Sequence, residues 1–244
     1  MSNFKIIQLD KTDSTNNYAS ALLSDKKSAC NTVVTAKLQE KGKGQGSNQW
    51  QSEYGKNLLC SIIICPGFIN AFDQFRLSKV SSLAIRDCLA DLGVSTVIKW
   101  PNDILTAGKK IAGILIENSL LRDMITSSVI GIGINVNQET FEDMPLKAAS
   151  VLQETLKSND LNHVLKLLLD KFELWYSMLE SNEADEIDKE YLKSLYGLNT
   201  FLPFRKGNVS FDAMITGVEE SGELFLRRRD GKLLKVVFRE IEYL

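Results

Sequence analysis

From Val97 to Val136 the chain runs through short apolar segments separated by turns, with no helical spacing between them. Val97-Ile98-Lys99-Trp100 and Ile104-Leu105 flank Pro101-Asn102-Asp103, Ala107-Gly108-Lys109 turns into the run Lys110 to Glu117, and Ser127 to Val136 follows as a buried strand. Segments that arrive hairpin-fashion, without intervening helices, imply a mixed or antiparallel sheet that helices from elsewhere in the chain must back. Asp73 to Leu92 carries Phe75, Val80, Leu83, Ala84, Cys88 and Leu92 at helical spacing and closes at Gly93. Leu161 to Leu179 sets Leu161, Leu165, Leu168, Phe172, Trp175 and Leu179 on one stripe. Upstream, Phe4 to Leu9, Asn31 to Leu38 and Asn57 to Cys65 read as strands, and Ser14-Thr15-Asn16-Asn17 as a capped helix start. From about Thr200 only short β runs remain: Thr200 to Phe204, Val209 to Val218, Glu223 to Arg229 and Lys232 to Phe238, the last two joined by a two-residue turn at Asp230-Gly231. The expected fold class is α+β, a mixed-sheet domain over residues 1–197 and a small β-barrel over residues 198–244.

Composition removes several functions. A single histidine, His163, leaves little room for metal or triad chemistry built on several imidazoles. Net charge is −2, which argues against a surface made for generic DNA or RNA binding. The longest apolar stretch, Leu58 to Cys65, is eight residues with Ser61 inside it, against the ~20 needed to span a bilayer. The first residues lack the basic, apolar and small-residue order of a secretory signal, so the cytoplasm is the expected compartment. Cys30, Cys60, Cys65 and Cys88 show no C-x-x-C spacing, and Cys60 and Cys65 fall on opposite faces of one strand. They are expected to be buried free thiols.

Three stretches carry groups suited to chemistry. Gly42-Lys43-Gly44-Gln45-Gly46-Ser47-Asn48-Gln49-Trp50 lies in a long flexible loop and offers backbone N–H groups, a cation and an aromatic plane, which suits a nucleotide phosphate and its base. It is neither a Walker loop nor a Rossmann fingerprint, and a solvated glycine-rich loop fits its composition equally well. Lys99, Asn102, Asp103 and Lys110 bring two cations, an amide and a carboxylate to the ends of adjacent strands, as a phosphate and carboxylate site requires. Alone, an Asp after Pro-Asn is more often a turn former. In Gly131-Ile132-Gly133-Ile134-Asn135-Val136-Asn137 the glycines leave room for a ligand, or for tight packing against a helix. Arg227-Arg228-Arg229 reads as an exposed edge.

Taken in order, these motifs resemble the biotin protein ligases. Asp13-Ser14-Thr15-Asn16 is similar to the family's D-S-T-N, and Gln39 through Trp50 to its Q-T-x-G-R-G-R-x-G-R-x-W loop. Gly55 to Leu58 is similar to G-x-N-L, Lys99 to Asp103 to K-W-P-N-D, Lys110 to Glu117 to K-x-x-G-I-L-x-E, and Gly131 to Asn137 to G-x-G-[IL]-N-x-N. The resemblance implies an α/β catalytic domain with a mixed sheet followed by an SH3-like barrel. It implies a ligase that activates biotin with ATP to biotinyl-5'-adenylate and transfers biotin to a lysine of a biotin carboxyl carrier protein.

By the same resemblance Ser14, Thr15, Asn16, Gln39, Gly42 and Gly113 bind biotin, while Gly44, Trp50, Asn102 and Asn135 bind ATP, Trp50 and Asn135 at the adenine. Lys110 spans the biotin carboxylate and the α-phosphate. Carboxylate attack on the α-phosphorus brings like charges together, so positioning and cations suffice, here Lys43, Lys110 and Mg²⁺ carried by the nucleotide rather than held by a side-chain cluster. Asp103 is the candidate to orient or deprotonate the acceptor amine. The loop departs from the family at Lys43 and Gln45, which stand for arginines, and at Ser47, with the expected glycine displaced to Gly46. Lysine lacks the planar fork of arginine, so Lys43 offers a point charge where the family has a bidentate donor.

Ser14-Thr15-Asn16 begins so near the terminus that no helix-turn-helix domain is expected, nor any DNA or membrane partner. A monomer and a homodimer are both compatible with the chain. A lipoate-type ligase and a non-catalytic biotin- or nucleotide-binding regulator are the alternatives, although no R-R-x-x-G-G-G-x-V-x-H-D segment is present.

Overall fold

The computed structural model describes residues 4–25, 29–46, 48–141 and 147–244. The first sheet has seven strands: β1 (Lys5–Thr12), β2 (Thr32–Gln39), β3 (Leu58–Ile64), β4 (Val97–Lys99), β5 (Asp103–Thr106), β6 (Lys109–Leu121) and β7 (Met124–Ile134). Their spatial order is β1-β2-β3-β7-β6-β5-β4. Only β1 and β2 run parallel, because the helix α1 (Thr15–Asp25) crosses over between them; every other pairing is antiparallel. The sheet is therefore mixed, as the hairpin-spaced segments imply.

Both faces of the sheet are covered, which is why β3 is buried at all seven residues. On one face Cys60, Ile62, Ile130, Ile132 and Ile134 meet α2 (Phe75–Asp91) and α4 (Leu161–Glu180). The stripe read along α4 is the buried one: Leu168 and Phe172 are fully enclosed, while His163 faces solvent. On the other face Val34, Ile63 and Val129 meet Ala19 of α1. Alternation along β3 and β7 thus sends residues of opposite parity to two different cores.

Two further helices follow a pattern too short to announce itself. In α5 (Ala184–Lys193) only Ile187 and Tyr191 are buried, among eight other residues that are mostly charged. In α3 (Val151–Thr155) the start is set by Ser150, which forms a capping box with Gln153.

Beyond these helices, β8 (Phe201–Lys206), β9 (Val209–Val218), β10 (Leu224–Arg228), β11 (Leu233–Val236) and β12 (Glu242–Tyr243) form an antiparallel sheet in the order β11-β10-β9-β8-β12. Its two ends do not pair, so the small barrel stays open. Phe204, Ile215, Leu224 and Leu226 belong to the same apolar cluster as α2 and α4. Trp100 ties the two sheets, donating its Nε1–H to the Gly222 carbonyl at 2.9 Å and setting its ring against Phe238. No described helix is long and apolar enough to cross a membrane.

The expectation of four free thiols is corrected. Cys60 and Cys88 are buried and free, but Cys30 and Cys65 are joined in a disulfide, with Cα atoms 5.7 Å apart. The reason lies in the strand register. Thr32 pairs with Ile63 across β2 and β3, so continuing the ladder two residues outward places Cys30 opposite Cys65. That relation is tertiary and leaves no trace in cysteine spacing. Burial pushes both free thiols up to about 12, with Asp91 adding to the shift at Cys88, so they are protonated and inert in the folded protein. Protein isolated without reductant should therefore show no thiol to a disulfide-exchange reagent at pH 8, two after denaturation, and four after denaturation with reduction.

Candidate functional site

The site is built on the α1 face of the sheet, where side chains are missing. Gly131 and Gly133 on β7 share a face by their spacing of two, and Gly113 pairs directly with Gly133 across β6. Leu115 and Ser61 flank Gly131 in the same row. Three neighbouring positions without a Cβ make a shelf of bare backbone. A Cβ at Gly131 would stand 2.3 Å from Asn16 Oδ1, and one at Gly133 2.5 Å from the Trp50 ring. Both readings of these glycines are thus realised, helix packing at Gly131 and close approach of a ring at Gly133.

The start of α1 lies against one end of the shelf. Ser14, Thr15 and Asn16 are buried there. Thr15 donates from both N and Oγ1 to Gln39 Oε1, at 2.7 and 2.9 Å. Ser61 Oγ lies 2.8 Å from Thr15 Oγ1 and 2.6 Å from Asn16 Oδ1, so its one proton bridges the two. Asn16 Nδ2 donates to Glu117 Oε2 at 2.8 Å and to the Leu115 carbonyl at 3.3 Å. Just before the helix, the Asn17 side-chain amide and the Ser14 N–H both donate to Asp13 and hold its carboxyl below the usual range.

At the other end, residues 42–50 close on themselves. Lys43 and Gln49 form a β-bridge, Trp50 N donates to the Gly42 carbonyl at 2.9 Å, and Gly44 N to the Asn48 carbonyl at 2.8 Å. A short hairpin therefore replaces the open loop expected here, although Ser47 lies outside the described residues. Its Trp50 ring rests on the Gly113–Gly133 pair, with Lys110 Nζ 5.5 Å from the ring centroid. Lys43 Nζ stands 3.7 Å from Glu117 Oε1. Lys110 Nζ pairs with Asp103 Oδ1 at 2.6 Å, and Asn102 is fixed by donating to the Ile114 carbonyl at 2.8 Å. Burial pulls Lys99 below its ordinary value against the opposing pull of Asp103, and the charge of Lys110 adds to the lowering.

Most of the residues singled out from the sequence come together. Ser14, Thr15, Asn16, Gln39, Lys43, Gly44, Trp50, Asn102, Lys110 and Gly113 line one cavity. Three do not reach it: Gly42 packs against the Trp50 carbonyl, Asp103 acts through Lys110, and Asn135 lies behind Lys110, donating to the Ala149 and Lys110 carbonyls. Two orphans stand out among the buried polar atoms, Trp50 Nε1 and Asn135 Oδ1, which have no partner. Buried groups of this kind call for a ligand or for water.

Trp50 leaves about 40 Å³ in this cavity, room for roughly one water. It opens through Gln45 and Asn102 into a larger crevice of about 440 Å³ that is also lined by Phe75, Trp100 and Phe238. Ser61 and Glu117 are the site residues that sequence reading passed over. Ser61 did carry a signal, as the polar interruption of the apolar run from Leu58, whereas Glu117 looked like an ordinary strand end.

The arrangement pairs a nest of hydroxyls and amides with a lysine one shelf-length away. Such a pocket accepts a small molecule with a neutral hydrogen-bonding head and an anionic tail. Among the described residues no three His, Cys, Asp or Glu side chains converge as a metal site would require.

Comparisons with known proteins identify the family and the fold. Residues 9–135 match the model of the Biotin/lipoate A/B protein ligase family. The bifunctional ligase/repressor BirA of Bacillus subtilis is 33% identical over 216 residues, which are 86% of this chain but only 66% of that protein. The biotin--[acetyl-CoA-carboxylase] ligase of Paracoccus denitrificans is 30% identical over 231 residues, 92% of this chain and 95% of that one. The structure of a biotin protein ligase from Aquifex aeolicus in complex with biotin and ATP shares the fold at a TM-score of 0.81, with 24% identity over 98% of this chain and 99% of the other.

The shelf geometry has a direct test. In Gly133→Ala the new methyl meets the Trp50 ring, so a protein labelled with fluorotryptophan should show one of its three ¹⁹F resonances displaced, that of Trp50, with those of Trp100 and Trp175 unmoved.

Proposed function

The chain belongs to the biotin/lipoate A/B protein ligase family, and from that premise we propose that it joins biotin to ATP as biotinyl-5'-adenylate and passes the biotinyl group to a carrier-protein lysine. The observation that carries the reading is the shelf of Gly113, Gly131 and Gly133 with the Thr15–Gln39–Ser61–Asn16 cluster at one end and Lys110 at the other. A ureido head has two N–H donors and a carbonyl acceptor, which the mixed amides and hydroxyls of that cluster complement. The thioether ring and valeryl chain then lie over the backbone of Gly113 and Gly133, in the space that the Trp50 ring fills here and gives up when the ligand enters. The carboxylate ends near Lys110.

In the first step a biotin carboxylate oxygen attacks the α-phosphorus of ATP, an O–P bond forms, and pyrophosphate leaves. Both reactants are anionic, so the chief task is to hold them in line and offset their charge. Lys110, oriented by Asp103, stands at the meeting point, and Lys43 approaches from the hairpin. Mg²⁺ enters with the triphosphate as part of the substrate. Asn135 does not line the cavity in this structure, and its buried, unpartnered Oδ1 becomes an acceptor for an adenine amino group only when the nucleotide opens the space beside Lys110. In the second step the acceptor lysine attacks the mixed anhydride as a neutral amine and AMP departs. Asp103 is the carboxylate available to orient that amine and take its proton.

The acceptor is a biotin carboxyl carrier domain in the cytoplasm, of the kind named for the Paracoccus relative. The net charge of −2 favours a protein acceptor over DNA.

Incubating the protein with Mg-ATP, biotin and a carrier domain should add one biotinyl group to the carrier by mass spectrometry, while lipoic acid in place of biotin should add nothing. Absence of the biotin adduct would overturn the reading. Lys110→Ala should slow adenylate formation by more than tenfold, a loss above ~1.4 kcal/mol, without changing the melting temperature. A smaller effect would remove Lys110 from the phosphate-binding role.

A further inference from the structure

Besides the Trp50 ring on its shelf, the hairpin at 42–50 meets more distant groups at its base and at its tip. Near the base, Lys43 faces Glu117. At the tip, Gly46 lies against a residue from the far end of the chain: a Cβ there would stand 2.0 Å from Nη2 and 2.9 Å from Cζ of Arg239. The guanidinium thus occupies the space that a side chain at position 46 would take. Gly46 also has φ +70°, a conformation that suits glycine.

Arg239 is presented on a fixed support. Residues 237–240 form a turn in which Glu240 N donates to the Val237 carbonyl and Val237 N to the Glu240 carboxylate, both at 3.1 Å. Lys206 Nζ, on β8, holds the same carboxylate at 3.4 Å. The neighbouring Phe238 packs on Trp100, whose own Nε1–H is bound to Gly222. Arg239 itself has φ +70°, a strained conformation for a residue with a side chain, kept by this surrounding network. Its guanidinium lies 5.5 Å from the centroid of the Phe238 ring, and among the described residues no carboxylate forms an ion pair with it, so what it meets at the hairpin is the tip at Gly46.

We propose that Arg239 is a positioning residue for the hairpin: from the C-terminal sheet it holds residues 42–50 shut over the site and so retains the activated biotinyl group until the acceptor arrives. The inference rests on the proposed biotinyl-adenylate chemistry for its consequence, though not for the contact. Gln45, next to Gly46, lines both the inner cavity and the crevice between the sheets, so the tip stands at the passage from one to the other. With the tip released, the passage widens and the anhydride reaches water and stray lysines. With the tip held, that passage stays narrow.

The experiment compares wild type with Arg239→Ala and Arg239→Lys. Limited proteolysis without ligand, with fragments located by mass spectrometry, should show cleavage between residues 41 and 50 accelerated about tenfold in the alanine variant, the effect of losing the side chain that packs on the tip. Lysine, which lacks the guanidinium, should restore only part of the protection. Escape of biotinyl-adenylate, read as labelling of a bystander protein, should rise in step, while the KM values for biotin and ATP change by less than about twofold.

Unchanged cleavage in Arg239→Ala would overturn the proposal. So would a large rise in the KM for ATP with the hairpin still protected, which would make Arg239 a nucleotide ligand instead. If wild type forms no adenylate at all, the proposed function falls, and the proteolysis arm still decides the contact.

Discussion

Three absent side chains set the terms for everything on the functional face. Gly113, Gly131 and Gly133 lie on two adjacent central strands, and because they carry no Cβ the sheet can be approached at backbone distance. The start of α1 uses that access at Gly131 and the Trp50 ring uses it at Gly113 and Gly133. A side chain at Gly131 would push α1 away, and with it the polar cluster of Thr15, Asn16, Gln39 and Ser61, while one at Gly133 would push the Trp50 ring off the sheet. Glycine in a strand interior weakens the strand. Here the loss is carried by β3 and β7, whose opposite face is packed against two long helices.

That division of labour explains why one sheet supports a stable core and a polar pocket within a few ångströms of each other. From Leu58 to Ile64 and from Ile130 to Ile134 the even-numbered positions belong to the cluster of α2 and α4 and are aliphatic except for Cys60. Odd-numbered positions face α1 and hold Ser61 and the glycines as well as Ile63 and Val129. The buried hydroxyl of Ser61 is tolerable because Thr15 and Asn16 satisfy it, so the pocket is rigid before any ligand enters. The second sheet shares the apolar cluster of the first and is fastened to it by Trp100, a residue inside the segment that also carries Asn102 and Asp103. Site geometry and inter-sheet packing thus meet in a stretch of five residues, Lys99 to Asp103.

The periodic features were open to reading from the chain. The stripe of α4, the apolar core of α2 and the hairpin-spaced run from Val97 all follow from spacing, and so does the β-only tail with its Asp230-Gly231 turn. Features that depend on how distant segments register were closed to it. Nothing in the spacing of Cys30 and Cys65 shows that β2 and β3 set them face to face. Glu117 looks like a solvent-exposed strand end until Asn16 and Lys43 arrive from two other elements. The two buried residues of α5 are too few for a period to emerge. The hairpin at 42–50 was hidden by its glycines, which signal freedom whether or not the backbone closes a bridge.

The disulfide stands at the opposite end of β2 from the site. Gln39 leaves the strand at the pocket, and Cys30 precedes its first residue, so about 23 Å of extended chain from Thr32 to Gln39 separates the two. Along that length the strand is held by a ladder to β1 as far as Gln39 and by one to β3 from Thr32 to Thr35, neither of which depends on the sulfur bridge. Breaking the bridge frees the rim of the sheet but leaves Gln39 paired with Thr12 on β1 and bonded by Thr15. The oxidation state of the surroundings is therefore insulated from the chemistry of the pocket.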